Sequence, residues 1–183
     1  MEGDIERIRG LKLQPGPKLL GEQITETVLR ASQLRVIAPD ITAADIAWLA
    51  VCAREIDRRA RLVAIVTLGN TEIDEPTTVD WALVGGLFDP DDEIVGNAVA
   101  SISRRGLKEA SGAVPVARRR LIDLASQGAT SVRREVVVTA AKRPELKLEE
   151  ILRTAQSDRA WTVRREVEAA AAQESQGGRP DSD

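Results

Sequence analysis

The chain has 183 residues, 43% of them hydrophobic and 30% charged, a length and composition that suit one domain with a real core. A formal net charge of −3 gives no global attraction to nucleic acid. The absence of histidine removes the commonest general base and metal ligand, and a single cysteine, Cys52, excludes an internal disulfide or a multi-cysteine zinc site. Aromatic residues make up only 2% (Trp48, Trp81, Phe88 and Trp161), so the core must be built from Ala, Val, Leu and Ile, a palette that lets helix axes approach closely.

The N-terminal "MEGDIERIRG" is charged and lacks the apolar stretch of a secretory signal. The apolar runs "LVAIV" and "IAWLAVCA" fall far short of the roughly 20 residues a membrane span needs, so the expectation is a cytoplasmic protein with no membrane contact. "LQPGPK" breaks any helix. Leu20, Ile24 and Val28 then form one helical stripe, which predicts a helical element over 17–38 within an N-terminal cap region, 1–38.

From residue 39 the pattern comes in pairs. "ITAADIAWLAVCAREI" opens with Thr42 and Asp45 in capping-box spacing, and buries Ile46, Leu49, Ala50 and Ala53; Cys52 belongs to this apolar packing. Its partner carries Ala60, Ala64 and Leu68 at helical spacing. Pro76 opens the next helix, with Val79, Leu83 and Leu87, followed by Ile94, Ala98 and Ile102. "VPVARRRLIDLA", with Val114, Leu121 and Leu124, precedes "SVRREVVVTAA", with Val132, Val136 and Ala140. Pro144 starts "ELKLEEILRTA", with Leu146, Leu148, Ile151 and Leu152, and "TVRREVEAAAA" closes the series with Val163, Val167 and Ala171. The equivalent positions 60, 94, 132 and 163 are spaced by 34, 38 and 31 residues, a period that marks a solenoid with insertions in its loops. A helix pair cannot bury its apolar face alone, and four stacked pairs bury a continuous core. Residues 39–174 are therefore expected to be helical repeats, and the polar residues 175–183 a disordered tail.

"DPDDEIVGNAVASI" and "SDRAWTVRREVEAAAA" resemble the second helix of a HEAT repeat of the short bacterial kind. That pattern sets an Asp at the turn, an apolar residue five positions later, often an Arg, then small residues at helical spacing. Asp89 precedes Ile94 by five and Asp158 precedes Val163 by five; Arg61, Arg133 and Arg164 directly follow the apolar position. Val95 departs from the pattern where the second unit should carry Arg, and Gln127 and Glu55 depart from it where the third and first units should carry Asp. The resemblance covers roughly 40–174. It implies an all-α fold, an α-solenoid of about four HEAT-like helix pairs with an N-terminal helical cap. It also implies a binding scaffold, with the second helices lining a concave surface.

Two readings are open for Arg61, Arg133 and Arg164. Each pairs with a turn Asp of its own or a neighbouring repeat, or the three form a ladder that meets a partner. Arg134 and Arg165 point further from the buried stripe, toward a partner or solvent. Charge is segregated. Residues 70–100 carry eight acids and no base, whereas 101–170 carry fifteen bases against nine acids. A basic half suits an acidic protein segment, so the expected partner-binding residues are Arg61, Arg133, Arg134, Trp161, Arg164 and Arg165. Trp161, at a helix start, is the expected exposed anchor, and Trp48 and Trp81 are expected in the core. Phosphate-backbone binding to nucleic acid is the alternative, weakened by the scarcity of stacking aromatics. "DPDDE" offers Asp89, Asp91 and Glu93 to a divalent cation, but a helix start rich in acids follows from the helix dipole alone. No phosphate-loop motif, nucleophile setting or paired carboxylates are present, so no catalytic residue, metal or cofactor is implied; a lyase-type repeat enzyme is the third reading.

Overall fold

The structure, a computed structural model, describes residues 50, 53–54, 57–70 and 76–177. The expected N-terminal cap, the Thr42–Asp45 box, Trp48, Cys52 and the residues after 177 lie outside them. Among the described residues there are seven α-helices, two short 3-10 turns and no strand. In chain order the helices are α1 (Arg58–Gly69), α2 (Pro76–Gly86), α3 (Asp92–Arg105), α4 (Val114–Gln127), α5 (Thr130–Lys142), α6 (Glu149–Ala155) and α7 (Trp161–Gly177). The 3-10 turns, Glu109–Ser111 and Pro144–Leu146, lead into α4 and α6.

Local chemistry sets the helix ends. Asp57 accepts from the Ala60 N–H at 2.9 Å and starts α1. Asp91 accepts from Glu93 and Ile94 and starts α3, whose first turn holds Asp92 and Glu93 and whose last holds Arg104 and Arg105, as the helix dipole favours. Gly106, at φ 75°, ends α3 in a conformation that side chains rarely adopt. Pro144 opens a 3-10 turn rather than α6 itself, which begins at Glu149.

The helices stack in two layers. α1, α3, α5 and α7 lie side by side in one, each packed on the next, while α2, α4 and α6 form the other and bridge to them. The period-based stripes define this core. Ala60, Ala64, Leu68, Ile94, Ala98, Ile102, Val132, Val136, Ala140, Val163 and Val167 are all buried, as are Val79, Leu83, Leu87, Leu121 and Leu124. One cluster of aliphatic side chains runs the length of the described array.

Within the α1–α3–α5–α7 layer, each helix faces its successor through the same positions. Ser101 of α3 donates to the Ile65 carbonyl of α1 over a long 3.4 Å, and Thr139, its equivalent in α5, faces the Val99 carbonyl of α3 at 3.5 Å. Thr67 is the equivalent residue in α1, and it too is buried. Gly69 lies so close to α3 that a Cβ there would fall 2.1 Å from Ser101 Oγ and 3.0 Å from its Cα. The last helix departs from this. The buried Ile65, Val99 and Val137 are matched in α7 by exposed Glu168, the hydroxyl position becomes Ala170, and Ala171, expected to be buried, is exposed.

Two glycine substitutions should therefore act in opposite directions. Gly69→Ala forces α1 and α3 apart and should cost about 1–3 kcal/mol. Gly96→Ala, inside α3 with open space around its Cβ, should gain about 0.5–1 kcal/mol. Urea denaturation followed by circular dichroism measures both.

Candidate functional site

The turn aspartates organise the junctions between units. Asp89 Oδ1 accepts from the Asp91 N–H at 2.9 Å, which leaves its carboxylate facing the preceding unit. There Arg61 of α1 closes on it in a two-pronged pair, Nε to Oδ2 at 2.7 Å and Nη2 to Oδ1 at 3.2 Å. The same arrangement recurs two units on. Asp158 Oδ1 accepts from the Ala160 N–H at 2.7 Å, and Arg133 of α5 donates to Oδ2 at 2.8 Å and to Oδ1 at 2.9 Å. The third Arg133 nitrogen, Nη1, donates to the Gly128 carbonyl at 2.9 Å. The Arg133 side chain is only 2% exposed and that of Asp158 only 11%. The Arg133 guanidinium holds the Asp158 carboxyl below its ordinary range against the opposing effect of burial.

The middle junction has no such clasp, because both halves are missing at once. Val95 occupies the arginine position of the second unit and is buried, and Gln127 occupies the aspartate position of the third and is exposed. Two other arginines hold this junction instead. Arg143, just after α5, donates to the Ser103 carbonyl at 2.6 Å and to the Arg104 carbonyl, two acceptors at the open end of α3. Arg120 of α4 donates to the Leu87 carbonyl at 3.0 Å and lies 5.0 Å from the centre of the Phe88 ring.

The acidic segment "DPDDE" is likewise occupied by arginine. Arg58 pairs with Asp91 at 2.5 Å and with Glu93, and the Arg58 hydrogen bond lowers the Asp91 pKa. Asp80, fully buried on α2, accepts from the Lys108 N–H at 2.8 Å, while Trp81 Nε1 donates to the Ser111 carbonyl at 3.0 Å. These adjacent side chains pin both ends of the 3-10 turn. Trp81 was expected in the core; it is 39% exposed, because the indole N–H takes a carbonyl partner at the rim and leaves the ring edge outside.

Five of the six residues expected to bind a partner gather at the junction of the third and fourth units. Arg133 is committed to its clasp. Arg164 donates from Nη1 to the Asp158 carbonyl at 2.6 Å. Arg134 reaches across to Glu166 at 2.8 Å and stays half exposed. Trp161, at the start of α7, is 59% exposed, and Arg165 sits one turn on, 5.7 Å from its ring centre. Arg61 stands apart at the first junction, beside a cleft of about 410 Å³ lined by Ala53, Arg54, Ala82, Gly85, Asp89 and Pro90. On the outward face of α1, α3, α5 and α7, Val66, Ala100 and Val138 form a half-buried line that continues into exposed Ala169. Exposed Asn70, Arg104 and Lys142 follow one turn later.

Among solved structures, the chain is similar to computationally designed armadillo repeat proteins for modular peptide recognition. The TM-score is 0.65 with 19% sequence identity, over 90% of this chain and 79% of that one. The fold is an armadillo-type helical-repeat solenoid. A second designed armadillo repeat protein, solved in complex with the peptide (KR)4, matches with a TM-score of 0.62 and 16% identity over 90% of this chain and 79% of that one. A third matches over 91% of this chain and 98% of its own length, with a TM-score of 0.54 and 14% identity. No protein-family model and no curated protein matches the chain. Among the described residues, no helix is long and apolar enough to cross a membrane.

The clasp makes a pH-dependent prediction. Arg133→Ala should destabilise the chain by about 3 kcal/mol, since it strands a largely buried carboxylate. The Asp158 carboxyl is held below 3.8, so its contribution is complete above that value and is lost as pH falls through it toward the folded value. In thermal melts through this acidic range, wild type should lose stability more steeply than Asp158→Asn.

Proposed function

We propose that the chain is a non-enzymatic protein-binding scaffold, a short HEAT-like solenoid of the bacterial, cytoplasmic kind, whose basic C-terminal half receives an acidic segment of a partner protein. The observation that carries this reading is the exposed Trp161 with Arg165 stacked beside it, next to the half-exposed Arg134. A large ring flanked by cations gives an anchor with electrostatic selection around it. Arg164 braces the turn beneath. Arg61 and Arg133, whose guanidinium groups close on Asp89 and Asp158, hold units in register and are left out of the contact surface.

Two further features support the reading. The half-buried line Val66, Ala100, Val138 offers an apolar track ending among cations. One neighbour in fold was designed for peptide recognition and another was solved holding a peptide of lysine and arginine. In the present chain the exposed Arg134 and Arg165 are themselves basic, so the complementary segment is acidic.

The test is binding of a fluorescently labelled glutamate-rich peptide, read by polarisation. Arg134→Glu with Arg165→Glu should weaken capture about tenfold or more with helicity unchanged. Capture that survives this double reversal removes the surface from consideration. Retention of generic duplex DNA, with affinity falling steeply as salt rises, would instead establish phosphate-backbone binding.

A further inference from the structure

Close helix packing leaves the aromatic residues outside. All three described aromatic residues are exposed, and two of them lie in the other layer from Trp161: Trp81 on α2 and Phe88, 55% exposed, in the turn that leaves it. Gly85 lies between them at helical spacing, exposed, with nothing within 4 Å of where a Cβ would stand, so the two rings flank an open notch. The neighbouring unit completes the face. Trp81 is tied to Ser111 just before α4, and Arg120, nearly two turns into α4, stacks on Phe88. Val116, one turn before Arg120 on α4, is exposed.

Cations outnumber acids around this notch: Asp89 on the cleft is closed by Arg61, and Glu109 is the exposed acid of the 3-10 turn beside Trp81. Arg118, Arg119 and Arg120 form no ion pair with any described acid, and Arg54 stands exposed on the cleft that Gly85 also lines. The exposed described residues of α2 are uncharged, and Asp123 is the only acid on α4. Arg120 spends its Nε on the Leu87 carbonyl, which fixes the guanidinium plane over the ring with both Nη groups available to a carboxylate. Trp81 has its N–H satisfied within the chain and so offers apolar surface alone.

We infer that the α2–α4 face is a second docking surface, for an acidic protein segment with aliphatic or aromatic anchors. The anchors seat against Trp81, Gly85 and Phe88, and carboxylates meet Arg119 and Arg120. The surface lies on the opposite layer from Trp161 and Arg165, so the chain can hold two segments at once. It does not depend on the reading of the Trp161 surface.

The probe is a labelled peptide alternating glutamate with leucine and phenylalanine, titrated with the full chain and read by fluorescence polarisation. Phe88→Ala, and separately Arg119→Gln with Arg120→Gln, should each weaken binding about tenfold or more. Val116→Glu should do the same from a second exposed site, with thermal melts checking that each variant folds. The glutamine version of the peptide should bind far more weakly, and Arg134→Glu with Arg165→Glu should leave binding intact. Undiminished binding to the Phe88, Val116 and Arg119/Arg120 variants overturns the inference. So does loss confined to the Arg134/Arg165 variant, which would place the peptide on the Trp161 surface. Sedimentation that shows a wild-type dimer dissolved by Phe88→Ala overturns it as well, because the face would then belong to a second copy.

Discussion

An arginine that leaves its own repeat and closes on the turn of the next is the interaction on which this array depends. Helix pairs with small aliphatic side chains slide easily along one another, because Ala and Val leave shallow ridges. A planar guanidinium gripping a carboxylate through two nitrogens has little such freedom. Each turn aspartate in a clasp also caps its own turn, so the same carboxylate fixes the local backbone and the placement of the neighbouring unit. Hydrophobic stacking supplies the cohesion and the clasp supplies the register. The middle junction is consistent with this division. It lacks both halves of the clasp, and Arg120 and Arg143 there grip backbone carbonyls instead. Loss of only one half would have left a charge stranded in a largely dry junction.

The layers of the fold were legible because burial recurs. Ala60, Ile94, Val132 and Val163 share a phase, and a repeated phase survives the weak hydrophobicity of Ala and Val. Features that occur once left no such trace. Arg58 and Arg120 sit at positions that carry no arginine in other units, and Arg143 has only Arg105 as a counterpart, so periodicity could not separate them from solvated surface charge. Trp81 and Phe88 lie in "VDWALVGGLF", which is apolar on nearly every side and so carries no signal of which face is outward. Ala171 continued the stripe in sequence, but burial also needs a packing neighbour on that face, and Ala171 and Glu168 are both exposed.

The candidate site divided along the same line. Arg134 and Arg165 were separable from Arg133 and Arg164 by one helical step of about 100°, enough to turn a side chain from the junction to the surface. What the sequence could not distinguish was whether Arg61 and Arg133 faced carboxylates of their own chain. That depends on a residue 28 positions away in one case and 25 in the other, brought close only by stacking.

The scarcity of aromatic residues then takes on functional meaning. Where α1 and α3 approach closely enough that a single methyl at Gly69 would collide with Ser101, the packing between those helices has no room for a ring. The described rings stand at the ends and outer faces of helices, where two of the three are backed by arginine. An exposed ring in water is unfavourable for the isolated chain, and a stacked guanidinium offsets only part of that cost. The three described rings stand outside a described core built without them, at two places on opposite layers. A solenoid held in register by internal clasps keeps those two places at a fixed separation, the geometry that the two proposed docking surfaces require.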